Sequence, residues 1–285
     1  MLPVGARPLG PDSLTWRYFG DARGMLLVVR VGVLQAMHPA IGDALLKHSD
    51  FLENPLNRLL RSAPPILGVI YDGPEAGDTG AWVRDQHKAI KGTDDAGRSW
   101  HALSPDAFYW AHATFFESII AGQELFGNRL SDAERELLYE ESVDWYALYG
   151  LTMRPVPESY RAFQEYWEHM LHDVLEPTRV AAGTFAPTDG LPAPYPWVPG
   201  PAWAALRPLA SRGPTWIARG TLPKAARATL GLSWSTADEL VLRTLLSSLR
   251  ASWPLVPTQL RYLPRARAGI RREAARARAL DRAAA

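Results

Sequence analysis

Residues 84–114 hold three of the chain's seven histidines, His87, His101 and His112, and two of its four lysines, Lys88 and Lys91. Imidazoles supply neutral nitrogen donors and proton-transfer groups, and cations hold anions. Beside an aromatic, apolar helix this mixture suits a buried site for a metal or an anionic cofactor. Arg84, His87, Lys88 and Lys91 recur at i, i+3, i+4 and i+7, which predicts one shared helical face. His112 stands in an apolar stripe with Phe108, Tyr109, Phe115, Phe116 and Ile119, so its ring nitrogens need partners. Two readings stand side by side. His112 is a metal ligand or a core histidine bonded to a carbonyl, and the Arg84 face lines a site or is a solvated charged surface.

The elements that position these residues read as helical almost throughout. Ala22–Ala36, Ile41–His48, Leu56–Arg61 and Glu75–Lys91 have helical patterns, with Gly92 suited to the end of the last. Residues 93–103 read as a small hairpin turning through Asp94-Asp95-Ala96-Gly97. Ser104-Pro105-Asp106 then starts the helix that carries His112, with Ser as N-cap, Pro at the first helical position and an acid in the first turn. Ser131-Asp-Ala-Glu134 is a capping box for a helix to about Tyr149. Pro157–Leu175, Trp203–Arg219, Pro223–Leu230 and Thr236–Ser252 follow as helices, the last opened by Thr236-Ala-Asp-Glu239. Six prolines between 187 and 201 rule out a helix interior there and read as a surface connector. The fold class is therefore all-α, one large helical bundle with at most a small hairpin near 93–103.

Several motifs together carry a family resemblance. They are Trp16-Arg-Tyr-Phe-Gly-Asp21, Gln35 with His38-Pro39, Gly42, His48-Ser49, Asn54-Pro55, Arg58, Arg84 with His87, Ile90-Lys-Gly92, His101-Ala-Leu103 and Trp110-Ala-His-Ala-Thr114. Trp234-Ser-Thr-Ala-Asp-Glu-Leu240 and Arg261-Tyr-Leu-Pro264 add to them. In this order and spacing they resemble the MpaB/latex-clearing-protein family of all-helical haem b oxygenases, over roughly residues 10–265. The resemblance implies that His112 is the proximal iron ligand and that Arg84, His87 and Lys88 line the distal, catalytic side. The rubber-cleaving branch of the family has a lysine and a threonine where His87 and Lys88 stand, and no carboxylate in Leu67-Gly-Val-Ile-Tyr71 matches that branch's base. Rubber is thus not the expected substrate. Lys91 and Arg98, with His101, Tyr109 and Phe116, are expected around the cofactor, the two cations at its propionates.

Composition narrows the alternatives. The chain has 285 residues, 47% hydrophobic and 21% charged, with eleven tryptophans, enough for one large core. A net charge of +1 gives no whole-protein case for nucleic acid. With no cysteine there is no disulfide framework, no thiolate-ligated or covalently attached haem and no cysteine zinc or iron–sulfur site, so a bound haem takes a histidine. Glu165/His169 and Glu168/His172 are i, i+4 pairs, whereas a di-iron bundle wants Glu-x-x-His on two helices. No Gly-x-Ser-x-Gly elbow or phosphate loop occurs. The N-terminus lacks a signal-peptide pattern, and a cytoplasmic location is the expectation.

The expected division is an oxygenase catalytic domain over 10–265 and a basic tail over 266–285. That tail reads as a solvated, frayed terminus or as a peripheral contact with an anionic membrane. The expected reaction uses O₂ on a carbon–carbon double bond of an apolar, isoprenoid-type substrate. The rival is a non-catalytic haem-binding or haem-sensing protein on the same fold.

Overall fold

A computed structural model describes residues 7–49, 55–94, 97–186, 193 and 197–284, with the side chains of 55–60 and 284 outside the description. Asn54, the Arg58 side chain, turn residues 95–96 and most of the proline-rich connector therefore lie outside the described residues. The helices in order are α1 (Leu14–Tyr18), α2 (Val28–Ala36), α3 (Pro39–His48), α4 (Pro55–Tyr71), α5 (Ala76–Asp85), α6 (Pro105–Phe126) and α7 (Asp132–Ala147). Then come α8 (Tyr160–His169), α9 (Arg179–Gly183), α10 (Gly200–Thr221), α11 (Lys224–Thr229), α12 (Thr236–Ser252) and α13 (Pro264–Ala284). One antiparallel hairpin, β1 (Lys91–Thr93) and β2 (Ser99–His101), pairs Lys91 with His101 and Gly92 with Trp100.

The all-α reading holds, and α6 is the central rod. Its buried residues include Phe108, Tyr109, Trp110, His112, Phe116 and Ile119, on more than one face, so it is packed on several sides. Buried polar ties lock neighbours to it. Arg30 of α2 forks onto Glu117 at 2.5 and 2.8 Å while its Nε donates to the Thr221 carbonyl of α10. The Trp110 indole donates to the Leu34 carbonyl of α2 at 2.9 Å. On α7, Glu141 turns inward and its carboxylate accepts the first N–H groups of α1, those of Leu14 and Thr15, at 2.9 and 2.7 Å. These amides have no partner within their own helix, so a side chain from 126 residues away supplies one.

Several boundaries differ from the sequence reading, for identifiable reasons. Helix α5 stops at Asp85, so Lys91 leaves the face of Arg84 and joins β1. The His87 ring nitrogen Nδ1 occupies the Val83 carbonyl at 2.8 Å, and the His87 amide turns to the Arg84 carbonyl instead. This side-chain competition ends the helix. Gly92 consequently sits in a strand, where a Cβ would lie 2.6 Å from the Trp100 ring. Helix α4 runs through Pro64-Pro65 and is far longer than Leu56–Arg61. Ala22–Leu27 is a 3₁₀ turn, and Ser235 with Asp238, not Thr236 with Glu239, forms the capping box of α12.

The basic C-terminal segment is one helix whose first turns pack on the core. Arg265 pairs with the buried carboxylate of Asp72 at 2.8 and 2.5 Å, Ala266 is fully buried, and Arg272 donates to the Tyr71 carbonyl at 2.6 Å. A Cβ on Gly269 would meet that same carbonyl at 2.6 Å. The boundary expected at 265/266 thus falls inside the first turn of α13. Removing the chain after Pro264 should lower the thermal midpoint, and Arg265→Ala alone should cost about 1–2 kcal/mol because Asp72 stays buried without its guanidinium, less than a fully buried pair since Arg265 is half exposed. An unchanged melt for the truncated chain would show that α13 contributes nothing to the core.

Candidate functional site

His112 is 2% exposed, in the middle of α6. Its Nε2 lies 3.0 Å from the Ser142 carbonyl and 3.2 Å from the Ser142 hydroxyl, across on α7. A carbonyl can only accept, so Nε2 carries the hydrogen and, in the neutral ring, Nδ1 keeps its lone pair. Burial pulls the His112 pKa down to about 3, partly opposed by the Ser142 hydrogen bond, so the ring is neutral. Nδ1 is buried and has no hydrogen-bond partner.

Aromatic rings enclose this imidazole. Trp145 lies 4.7 Å from it, Tyr146 5.2 Å, Tyr109 6.0 Å and Tyr149 6.1 Å between centroids. Tyr109 in turn meets Tyr146 at 5.2 Å and Tyr166 of α8 at 5.3 Å. The hydroxyls of Tyr146 and Tyr166 are also buried without partners. Burial pushes both phenols well above their usual range, so they remain hydrogen-bond donors. Three orphaned polar atoms thus belong to one contiguous ring cluster. Each costs about 1–3 kcal/mol if nothing binds it, as do the unpartnered buried atoms elsewhere, His38 Nδ1 and Trp16 Nε1 among them; what sets these three apart is that they lie together.

The distal candidates reach the same cluster from the end of α5. Arg84 pairs with Asp85 and donates to the Tyr149 carbonyl at 3.2 Å, and the Tyr149 ring packs against Phe108 at 5.2 Å as well as against His112. The His87 ring stands 5.7 Å from Phe108, edge to face. Arg84 thus touches the backbone of Tyr149, His87 the ring of Phe108 and His112 the ring of Tyr149, and those two rings touch each other. Lys88 stands apart, its side chain 59% exposed and paired with Asp85. Lys91 and Arg98 are exposed on the hairpin, Arg98 held by Asp94 across the turn, and neither takes part in the ring contacts around His112. His101 accepts from the Leu103 amide and bonds the Lys88 carbonyl at 3.1 Å, which pins the hairpin to the turn after α5. Phe116 is fully buried one turn beyond His112, against Phe163 at 4.8 Å and Tyr139 at 5.6 Å. Ser142, Trp145, Tyr146, Tyr149 and Tyr166 escaped the sequence reading. Ser142, Trp145 and Tyr146 on α7 and Tyr149 just after it follow the capping box at one-turn spacing, yet nothing in their own pattern aims them at His112.

The chemistry of this set fits a single-imidazole cofactor. Among the described residues no group of three or more His, Cys, Asp or Glu side chains is arranged to hold a metal ion. A haem iron asks for one neutral protein nitrogen; His112 offers Nδ1 with Nε2 held by the Ser142 carbonyl, the reverse of the usual arrangement in which Nδ1–H is held and Nε2 ligates, so the ring must turn over to present Nε2. Seating a planar macrocycle at His112 requires the packed rings to move apart. An open cleft of about 550 Å³ lies elsewhere, between α4, α5 and α13, lined by Arg61, Asp72, Trp82 and Arg265 but by none of these site residues. The exposed Glu165, Glu168, His169 and His172 form only surface pairs within their own stretch of chain.

Two expectations follow from this geometry. In cofactor-free protein, Tyr146→Phe should leave stability unchanged or raised, since its hydroxyl has no partner. Tyr71→Phe should cost about 1–3 kcal/mol, because its hydroxyl accepts from Gly20 and donates to the Trp16 carbonyl. Equal losses in chemical denaturation would contradict the assignment of orphaned atoms. The second expectation concerns acid. Burial depresses His38 to about 4, against the pull of Asp106, from an ordinary value of 6.5. A depressed pKa contributes stability that is whole above about 6.5 and drains away as the pH falls toward 4. The advantage of the native chain over His38→Gln should shrink by about 1–2 kcal/mol between pH 6.5 and 5. A constant gap would mean that His38 titrates normally.

Comparison with known proteins gives the family. A family model described as "ER-bound oxygenase mpaB/B'/Rubber oxygenase, catalytic domain" matches residues 16–251. Uncharacterized protein Rv2237 of Mycobacterium tuberculosis is 26% identical over 247 residues, covering 82% of this chain and 90% of that protein. Uncharacterized protein Mb2261 of Mycobacterium bovis matches to the same extent. No solved structure matches the chain. With most of its length inside the family match, the chain belongs to the MpaB/rubber-oxygenase catalytic-domain family, and its core is an oxygenase domain.

Proposed function

We propose that this oxygenase depends on haem b and acts with O₂ on a carbon–carbon double bond of an apolar, isoprenoid-type substrate. The observation that carries the reading is the buried, neutral His112, with one nitrogen held by Ser142 and the other without a partner. His112 would hold the iron through Nε2 once its ring has turned over, and Ser142 fixes the tautomer of the unligated ring. When bound, haem supplies a redox-active iron that activates dioxygen. The Tyr146 and Tyr166 hydroxyls are neutral donors available to oxygen atoms of a bound group. Arg84 and His87 approach from the α5 end, where a guanidinium and an imidazole can stabilise negative charge developing on oxygen. The surrounding Phe108, Tyr109, Trp145 and Phe116 exclude water and favour an apolar substrate. Lys88 would contribute only through Asp85, whose carboxyl it and Arg84 together hold below the usual range.

Three variants test this. His112→Ala and His112→Gln should keep native helicity but lose at least about 90% of the haem, measured by pyridine haemochromogen, because no second axial donor replaces the imidazole. Arg84→Ala should retain haem and lose about 10²-fold or more in turnover of an olefin such as squalene. Full haem occupancy in both His112 variants would remove the ligand assignment. Haem binding by the native chain with no olefin turnover under O₂ and reductant would favour the haem-sensing reading instead.

A further inference from the structure

We propose that the Tyr146 and Tyr166 hydroxyls take a carboxylate of the cofactor, so that its acid edge lies between α7 and α8. The inference rests on the haem reading above and adds how the acid groups are held. The cations expected at them stand elsewhere. Lys91 and Arg98 are exposed on the hairpin, Arg98 held by Asp94. Arg84 is committed to Asp85 and to the Tyr149 carbonyl. A carboxylate entering this core without donors would lose its water and receive nothing in exchange.

The chain leaves donors there selectively. Other tyrosines of the core have partners: the Tyr71 hydroxyl bonds Gly20 and Trp16, Tyr139 donates to the Pro157 carbonyl, Tyr149 accepts the Trp145 indole N–H at 3.1 Å, and Tyr109 bonds Tyr139. Among the described tyrosines, Tyr146 and Tyr166 are the two whose buried hydroxyls have none. Both rings lie against Tyr109, at 5.2 and 5.3 Å, and they come from neighbouring helices. Tyr146 also touches His112 at 5.2 Å, whereas Tyr166 stands one ring farther out, half-buried on α8. The pair therefore leads from the imidazole toward the surface, and a macrocycle ligated at its centre carries its acid groups at its edge. Burial keeps both phenols in the O–H form, and the charge of the exposed Asp106 acts the same way without filling either hydroxyl. Two donors with no acceptor in their own chain suit a guest that brings acceptor oxygens. One carboxylate has lone pairs enough for both, and hydrogen bonds to a charged oxygen are the stronger kind.

The test compares haemin with haemin dimethyl ester, which keeps the iron and the macrocycle but carries no carboxylate, by Soret titration of the full-length chain. The native protein should bind haemin about 100-fold tighter than the diester. Tyr146→Phe and Tyr166→Phe should each weaken haemin about tenfold and leave the diester unchanged, with circular dichroism and melting as for the native chain. The double variant should lose most of the preference. Tyr109→Phe, whose hydroxyl is engaged by Tyr139, should keep it. Equal or tighter binding of the diester by the native chain overturns the proposal, as does an undiminished preference in the double variant, and both leave the haem reading standing. Uptake of neither porphyrin removes that reading and this inference with it.

Discussion

A neutral imidazole buried in an aromatic core must hand its one N–H to an acceptor, and for His112 that acceptor is the carbonyl of Ser142. The constraint ties the middle of α6 to the C-terminal half of α7 within hydrogen-bond distance, and the rest of the site follows. Ser142 is followed by Trp145, Tyr146 and Tyr149 at one-turn spacing, so fixing its carbonyl under His112 delivers those rings around the imidazole. The Tyr149 carbonyl, in the turn just after that helix, then takes Arg84. One hydrogen bond between two helices therefore sets where the third element presents its cation.

That arrangement needs α7 to be held from its other side. The neighbour of Ser142, Glu141, accepts two amides of α1, so the residues on adjacent positions of α7 serve the site and the scaffold. Helix α1 is tied in turn to α4 by Tyr71, whose hydroxyl bridges Gly20 and Trp16 and whose carbonyl accepts Arg272 of α13. Buried hydrogen bonds of this kind contribute little net energy each but are costly to break, because the partner stays buried. The C-terminal helix thus belongs to the chain of support that reaches His112.

The sequence was most legible where local rules act alone. The capping box at Ser131, the proline start of α6 and the stripe through Phe108, Tyr109 and Phe116 all appear as read, because caps and periodicity are short-range. His112 could be singled out since an imidazole in an apolar stripe violates the pattern around it. What stayed hidden depends on distant partners. The end of α5 is set by the His87 side chain reaching Val83, which no propensity records. The partners of His112 lie 30 residues on, in a helix whose own pattern is weakly amphipathic. Lys91 and Arg98 look like site residues from proximity in sequence alone, and Lys88 from its helical spacing and the family resemblance; a hairpin and a surface ion pair carry them outward. The tail looked peripheral from its charge, yet Arg265, Ala266 and Gly269 match a groove formed by α4.

Haem ligation by His112 is the proposal on which the function rests. The most direct measurement is the visible spectrum of the full-length protein as purified and after titration with haemin. Ligation by His112 predicts a Soret band that saturates at one haem b per chain and follows the native fold through denaturation. Protein that is folded by circular dichroism, shows no Soret band and takes up no haemin would contradict it, and would return His112 to the status of a core histidine satisfied by Ser142.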